Sequence, residues 1–256
     1  MAKGVAIVTG ASQGIGAASA VRLASNFSSI VLVARNETKL AETASLVQKA
    51  GAQALAIAAD LSTPEAAKTV VTRTIQEFGR IDAVFNNAGA VPPIDLFQMT
   101  DEQWDEAAAL KLHGARRLTL EAWPHLQAAE GSVLFMAGVA AETPKAANAA
   151  LAVVNAGVIA IAKAFADRGI GDGVQVNSIL PGPVVTERLT TIIEESARAN
   201  GLSKDDATRQ FLQRSGISRY GQPEEVAELV AYLLSPAAHW LTGSAVRIDG
   251  GAVKGV

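Results

Sequence analysis

The sequence predicts an α/β fold, a parallel sheet wound on both faces by helices within a single domain. Three observations predict it. Short runs rich in Val, Ile and Ala alternate with segments of helical spacing; a glycine-rich turn directly follows the first run; and no linker, repeat or low-complexity tract divides the 256 residues. Strands covered on both faces read as continuous apolar runs, and strands alternating with helices join through right-handed crossovers.

The expected strands are the runs at 5–8, 30–33, 54–58, 81–85, 133–136, 174–179 and 245–248. Helical spacing marks 17–25, 37–50 and 64–78 between them. The uncharged stretch 146–162 ends at Lys163 and is broken by Asn148, Asn155 and Gly157. A membrane span needs about 20 apolar residues without such polar breaks, so this stretch is expected as a helix buried between layers or subunits. From 187 to 219 the strand signal stops and charges multiply, while Leu189, Ile192 and Ile193 fall on one helical face. That segment is expected as a helical lid over a pocket; the alternative is a solvated pair of surface helices.

Composition excludes several classes. Without cysteine there are no disulfides, thiolate metal sites or cysteine nucleophile. A net charge of −3 offers no general attraction to nucleic acid or anionic lipid. With 49% apolar residues the chain is globular rather than disordered. His113, His125 and His239 share no ligand spacing, so no metal site is expected, and His113 reads as a partly buried structural residue. Residues 1–8 carry one lysine and an apolar run too brief for a signal-peptide core, and a cytoplasmic protein is expected.

The first turn reads Thr9-Gly10-Ala11-Ser12-Gln13-Gly14-Ile15-Gly16 between a strand and a helix. In that context Gly10 permits the tight turn, Gly14 lets a pyrophosphate reach the backbone and Gly16 lets the helix pack closely. The helix start then presents free N–H groups to phosphates. Taken alone, the glycines could serve turn geometry only.

Further landmarks give the chain a family likeness. With Asn86-Asn87-Ala88-Gly89 after the fourth strand, Asp60 after the third, Pro181-Gly182 after the sixth and the terminal Ile248-Asp249-Gly250-Gly251, the sequence resembles the short-chain dehydrogenase/reductase family over residues 3–252. The resemblance implies a Rossmann-type fold and a nicotinamide dinucleotide. Gly10, Ser12, Gln13, Gly14, Ile15 and Gly16 would hold its pyrophosphate, and Asp60 with Leu61 would meet its adenine. Asn87, Ala88 and Gly89 would line the adenosine ribose side, and Pro181, Gly182, Val184 and Thr186 the nicotinamide carboxamide. Members preferring NAD(H) carry an acid near position 34. Here Ala34 is followed by Arg35, whose forked donors suit a 2′-phosphate, so NADP(H) is favoured over NAD(H). The other reading of Arg35 is a solvated strand-end residue.

At the chemical end the resemblance implies a departure. The family's Asn, Ser, Tyr and Lys fall at Lys111, Gly138, Leu151 and Asn155, with Trp104, Pro124 and Pro181 holding the register. Neither Tyr220 nor Tyr232 has a lysine four residues later, and Ser132 lies too early in its strand to reach a pocket. Leucine cannot pass a proton, and losing a positioned acid typically costs about 10²–10⁴ in rate. Lysine has left one pocket position and arrived at another, so Lys111 is a candidate acid or electrophile, and Asn155 a cofactor-side residue. Alternatively Lys111 pairs with a helix carbonyl or a surface acid. Glu142, Thr143 and Lys145 are weaker candidates in the loop after Gly138.

Three functions compete: an oxidoreductase with a non-standard proton donor, a catalytically silent nucleotide-binding subunit or sensor, and a non-redox isomerase or dehydratase. A small-molecule substrate follows if the protein is active, with no nucleic acid or membrane as partner. Family members commonly assemble through the helix matching 146–166 and the last strand, so a homo-oligomer, dimer or tetramer, is expected, with Trp240 near its interface.

Overall fold

The computed structural model describes residues 4–89, 91–92 and 94–255. The expected N-terminal stretch 1–8 and both ends of the expected domain therefore lie partly outside the described residues. Seven parallel strands form one sheet: β1 (Val5–Thr9), β2 (Ser29–Ala34), β3 (Gln53–Ala58), β4 (Ala83–Asn86), β5 (Ser132–Met136), β6 (Gln175–Pro181) and β7 (Ala245–Ile248). Their spatial order is β3-β2-β1-β4-β5-β6-β7. Each expected apolar run is a strand, with two late starts: the fourth begins at Ala83 rather than at position 81, and the sixth at Gln175 rather than at position 174. Ile81 is fully buried beside β4, but pairing with β1 starts at Ala83 opposite Ala6.

Alternate residues of one strand serve two cores. Val5 and Ile7 pack with Val70, Leu118 and Val158 on one face, while Ala6 and Val8 pack with Leu23, Leu40 and Val230 on the other. The first layer comes from α3 (Pro64–Phe78), α5 (Ala115–Ala129) and α6 (Ala149–Asp172). The second comes from α1 (Gly14–Leu23), α2 (Glu37–Lys49) and α9 (Pro223–Leu233). Local signals set the ends: Asn36 accepts from Lys39 N at the start of α2, and Gly79 closes α3 in the left-handed region.

The stretch Ala146–Asp172 is long and apolar enough by composition to cross a membrane, its most apolar 18 residues having a mean hydropathy of 1.9. One side of it is used inside the fold, where Val158, Ala162 and Ala166 bury against the sheet beside Val176, while Val153 and Ile170 face outward. Asp172 at its end accepts from Trp123 Nε1 at 2.7 Å and Arg168 Nε at 2.6 Å.

Two features aim residues at a common place. α4 (Asp101–Ala108) runs into α5 through a π-helical turn, Ala109–Gly114, which carries Lys111. Such single wide turns recur at functional sites because they re-aim one side chain. Residues 187–219 form α7 (Glu187–Asn200) and α8 (Lys204–Ser215). The apolar face expected there divides: Leu189 and Ile193 pack with Ala197 and Ala207 between the two helices, while Ile192, and the near side of Leu189, border the cleft.

Candidate active site

The strand order reverses between β1 and β4, where an open parallel sheet leaves a crevice at the carboxyl ends of its strands. A cleft of about 1190 Å³ lies there. Gly10 and Gly14 turn through positive φ, 64° and 56°, at the loop leaving β1. A Cβ on Gly16 would stand 2.1 Å from Gly10 O, so α1 can start against the loop only with glycine there. Asn87 stitches this loop to the end of β4, its Nδ2 donating to Thr9 O (3.0 Å) and Gly10 O (3.3 Å). In return Thr9 Oγ1 accepts from the backbone N–H of Asn87 and Ala88, both at 2.9 Å.

This end fits a dinucleotide. No side chain caps α1, because Gln13 Oε1 accepts from Lys39 Nζ at 2.8 Å. The first N–H groups of α1 therefore remain for a phosphate beside side-chain-free glycines. Asp60 Oδ1 accepts from Ser62 N (3.0 Å) and Ser62 Oγ (2.8 Å), which hold its carboxyl below the usual range with help from Arg35. Every residue expected on the nucleotide side lines the cleft except Gly16, which sits behind the loop against Gly10. Thr186 lines it too, while its hydroxyl accepts from Leu189 N at 3.3 Å as the cap of α7.

At the other end Lys111, Gly138, Leu151 and Asn155 all line the cleft. Lys111 is buried, and its Nζ donates to Asn155 Oδ1 at 2.5 Å and Ala137 O at 3.0 Å. Its stem passes Gly89, where a Cβ would come within 2.8 Å of Lys111 Cγ and Cδ. A Cβ on Gly138 would meet Asn155 Nδ2 at 3.1 Å. Lysine, asparagine and the two glycines thus fit one another. Burial pushes the Lys111 ammonium down to about 7, and the nearby Arg188 charge pushes the same way. Of the alternative partners for Lys111, a helix carbonyl or a surface acid, neither is found, although one of its bonds does go to a backbone carbonyl, just past β5. Its partners are an amide and a strand-end carbonyl.

Other candidates stand apart from the cleft. Glu142, Thr143 and Lys145 are exposed and do not line it, with Glu142 3.5 Å from Arg247 Nε. His113 is exposed rather than partly buried, because the wide turn that buries Lys111 rotates it outward. Ser132 is at the start of β5, donating to Gln175 Oε1 at 2.8 Å. Two cleft-side residues carry no mark in the sequence. Arg188 reaches in from α7 and donates through Nη2 to Val91 O. Lys39 of α2 ties Gln13 to Glu187, 2.9 Å from its carboxylate. Both are ordinary surface-type cations on helices, and only the spatial meeting of distant segments marks them.

A sequence profile described as "Enoyl-(Acyl carrier protein) reductase" matches residues 10–253. The short-chain reductase protein NovJ of Streptomyces niveus is 32% identical over 248 residues, covering 96% of this chain and 93% of NovJ. The chain belongs to the short-chain dehydrogenase/reductase family. Within that family it is also 27% identical to the 3-oxoacyl-[acyl-carrier-protein] reductase FabG of Staphylococcus aureus, over 96% of both chains. Among solved structures of the family, L-sorbose reductase from Gluconobacter frateurii, complexed with NADPH and L-sorbose, superposes with a TM-score of 0.95 at 32% identity. That match covers 100% of this chain and 98% of the other. The protein is accordingly a Rossmann-type NAD(P)-dependent oxidoreductase by family.

Proposed function

We propose that the protein is a soluble, cytoplasmic NADP(H)-dependent reductase of small molecules in which Lys111, instead of a tyrosine, handles the proton. The observation that carries this reading is the bonding of Lys111 Nζ. Two protein acceptors, Asn155 Oδ1 and Ala137 O, fix two of its N–H directions, and the residue borders the cleft. As an ammonium it keeps a third N–H; as an amine it keeps a lone pair. A group titrating near neutrality serves in either direction, and burial gives Lys111 that property.

A nicotinamide cofactor would supply or accept the hydride. The chain's own residues would do the rest: the α1 start and the loop glycines would hold its pyrophosphate, and Asp60 its adenine side. Arg35 is exposed, borders the cleft and favours a 2′-phosphate. Asn155 and Ala137 O aim the Lys111 nitrogen, and the half-buried Leu151 presents an apolar wall where the family's tyrosine stands. Residues 187–219 act as a lid, through Leu189, Ile192 and Phe211 at the cleft. Exposed apolar side chains on α5 and α6, Leu120, Val153 and Ile170, with Trp240 beyond α9, support a homo-oligomer.

A second reading has its own support: the amide and carbonyl bonds satisfy Lys111 internally, as a silent nucleotide-binding subunit requires. Calorimetric titration with NADPH and NADH, followed by NADPH oxidation over a panel of carbonyls, separates the two. The oxidoreductase reading expects tighter NADPH binding and turnover lost in Lys111→Met. Tight binding without turnover on any carbonyl favours the silent subunit.

A further inference from the structure

The substrate half of the cleft holds two cations and no acid to meet them. Lys111 and Arg188 both line it, and neither forms an ion pair among the described residues. The two carboxylates that border the same cleft are engaged elsewhere. Asp60 is held by Ser62 at the nucleotide end, and Glu187 is bound by Lys39 on the outer rim. The Arg188 charge acts on Lys111, so the two cations repel each other across this space. Like charges facing one cleft repel, and an anion placed between them relieves that repulsion.

Arg188 is suited to receive one. Its guanidinium carries five N–H donors in a planar fork, and among the described residues one bond is made, to Val91 O. It is exposed at the border of the cleft, with Leu189 and Ile192 beside it. A fork of this kind matches the two oxygens of a carboxylate. Leu151 and Phe211 supply apolar surface for the remainder of a ligand.

We infer that the substrate is a small oxo carboxylate with an apolar body, its carboxylate seated on Arg188 and its carbonyl oxygen turned toward Lys111. The inference rests on the proposed reductase reading for the role of Lys111, but the carboxylate seat stands on Arg188 and can be tested without turnover. Its product would be the matching hydroxy acid, so a reaction that consumes or activates hydroxy acids would follow it.

The test is calorimetric titration of the NADPH-saturated protein with 4-methyl-2-oxopentanoate and with its methyl ester, a neutral ligand of nearly the same shape. The acid is expected to bind about tenfold more tightly or better, the scale of one charge-assisted hydrogen bond. Arg188→Gln should reduce the acid to the affinity of the ester, and Arg188→Lys should restore part of the difference. NADPH affinity measured on each variant shows that it is folded. Equal binding of acid and ester, a preference that survives Arg188→Gln, or no binding of the acid overturns the carboxylate seat. Discrimination between acid and ester without NADPH oxidation upholds the seat and sinks the proton role of Lys111. Oxidation with neutral ketones but no discrimination does the reverse.

Discussion

Among single residues, Lys111 carries the proposed chemistry. Its ammonium is held down to about 7 in the folded chain, against 10.5 for an unburied lysine. Between those values the unfolded chain binds the extra proton, so stability from this group rises with pH from about 7 toward 10.5. Below about 7 both states are protonated and the burial cost is present in full. Lys111→Met removes that cost but strands Asn155 Oδ1 and Ala137 O. Urea unfolding of the two proteins should therefore show the balance moving toward wild type as pH rises. Kinetically, the reductive kcat/KM should fall as pH rises through about 7, because the donated proton is lost. The same variant should lower it by about 10²–10⁴.

The neighbours of Lys111 give a second prediction of the same kind. Gly138 leaves space that Asn155 fills, and Asn155 holds Lys111. Installing the family's tyrosine and lysine as Leu151→Tyr with Asn155→Lys would set a second ammonium against Lys111. That double variant should lose stability, by about 1–3 kcal/mol for crowding alone, and remain inactive. Adding Lys111→Asn and Gly138→Ser should recover both stability and ordinary carbonyl reduction. Thermal unfolding and NADPH oxidation measured on each variant check the sequence of effects.

Among the elements, the cleft depends on how loops and helices are tied. α1 approaches its own loop so closely that Gly16→Ala would put a methyl 2.1 Å from Gly10 O. The backbone must move, and a loss of about 1–3 kcal/mol by urea unfolding is expected, with weaker NADPH binding as the phosphate-facing N–H groups shift. A different tie joins α2, the β1–α1 loop and α7, where Lys39 Nζ lies 2.8 Å from Gln13 Oε1 and 2.9 Å from Glu187. Lys39 and Glu187 are partly exposed, so Lys39→Ala should cost under about 1 kcal/mol in stability. Its effect should fall on exchange, with faster NADPH dissociation in stopped-flow fluorescence because α7 loses its anchor beside the proposed nucleotide site.

Across the whole molecule, the sheet uses nearly all its apolar residues inside, yet some large apolar side chains elsewhere remain outside. Leu120, Val153 and Ile170 on α5 and α6 are exposed by half or more, and Trp240 is fully exposed. β7 is an edge strand with Ala245 and Arg247 exposed. Light scattering should return a dimer or tetramer, and Val153→Asp should shift it toward the monomer. A monomeric wild type would remove this expectation and leave those side chains as isolated surface residues.

Local sequence was enough to specify the sheet and its strand runs, and to mark the glycine turn of the proposed nucleotide end. Strands buried on both faces need uninterrupted apolar residues, and a strand-to-helix phosphate turn needs glycines at fixed offsets, so both leave local marks. The apolar run before Ala83 overreached because burial does not imply pairing, as Ile81 is buried without a ladder partner. Lys111, Gly138, Leu151 and Asn155 were also legible, since they stand at set distances from those marks. What they do to one another emerges only when the chain is folded. The bond from Lys111 to Asn155 joins residues 44 apart, and its stem lies where Gly89 has no side chain. Arg188 and Lys39 were invisible for the same reason: a helix-surface cation has no local signature, and its role is set by which distant segment it faces.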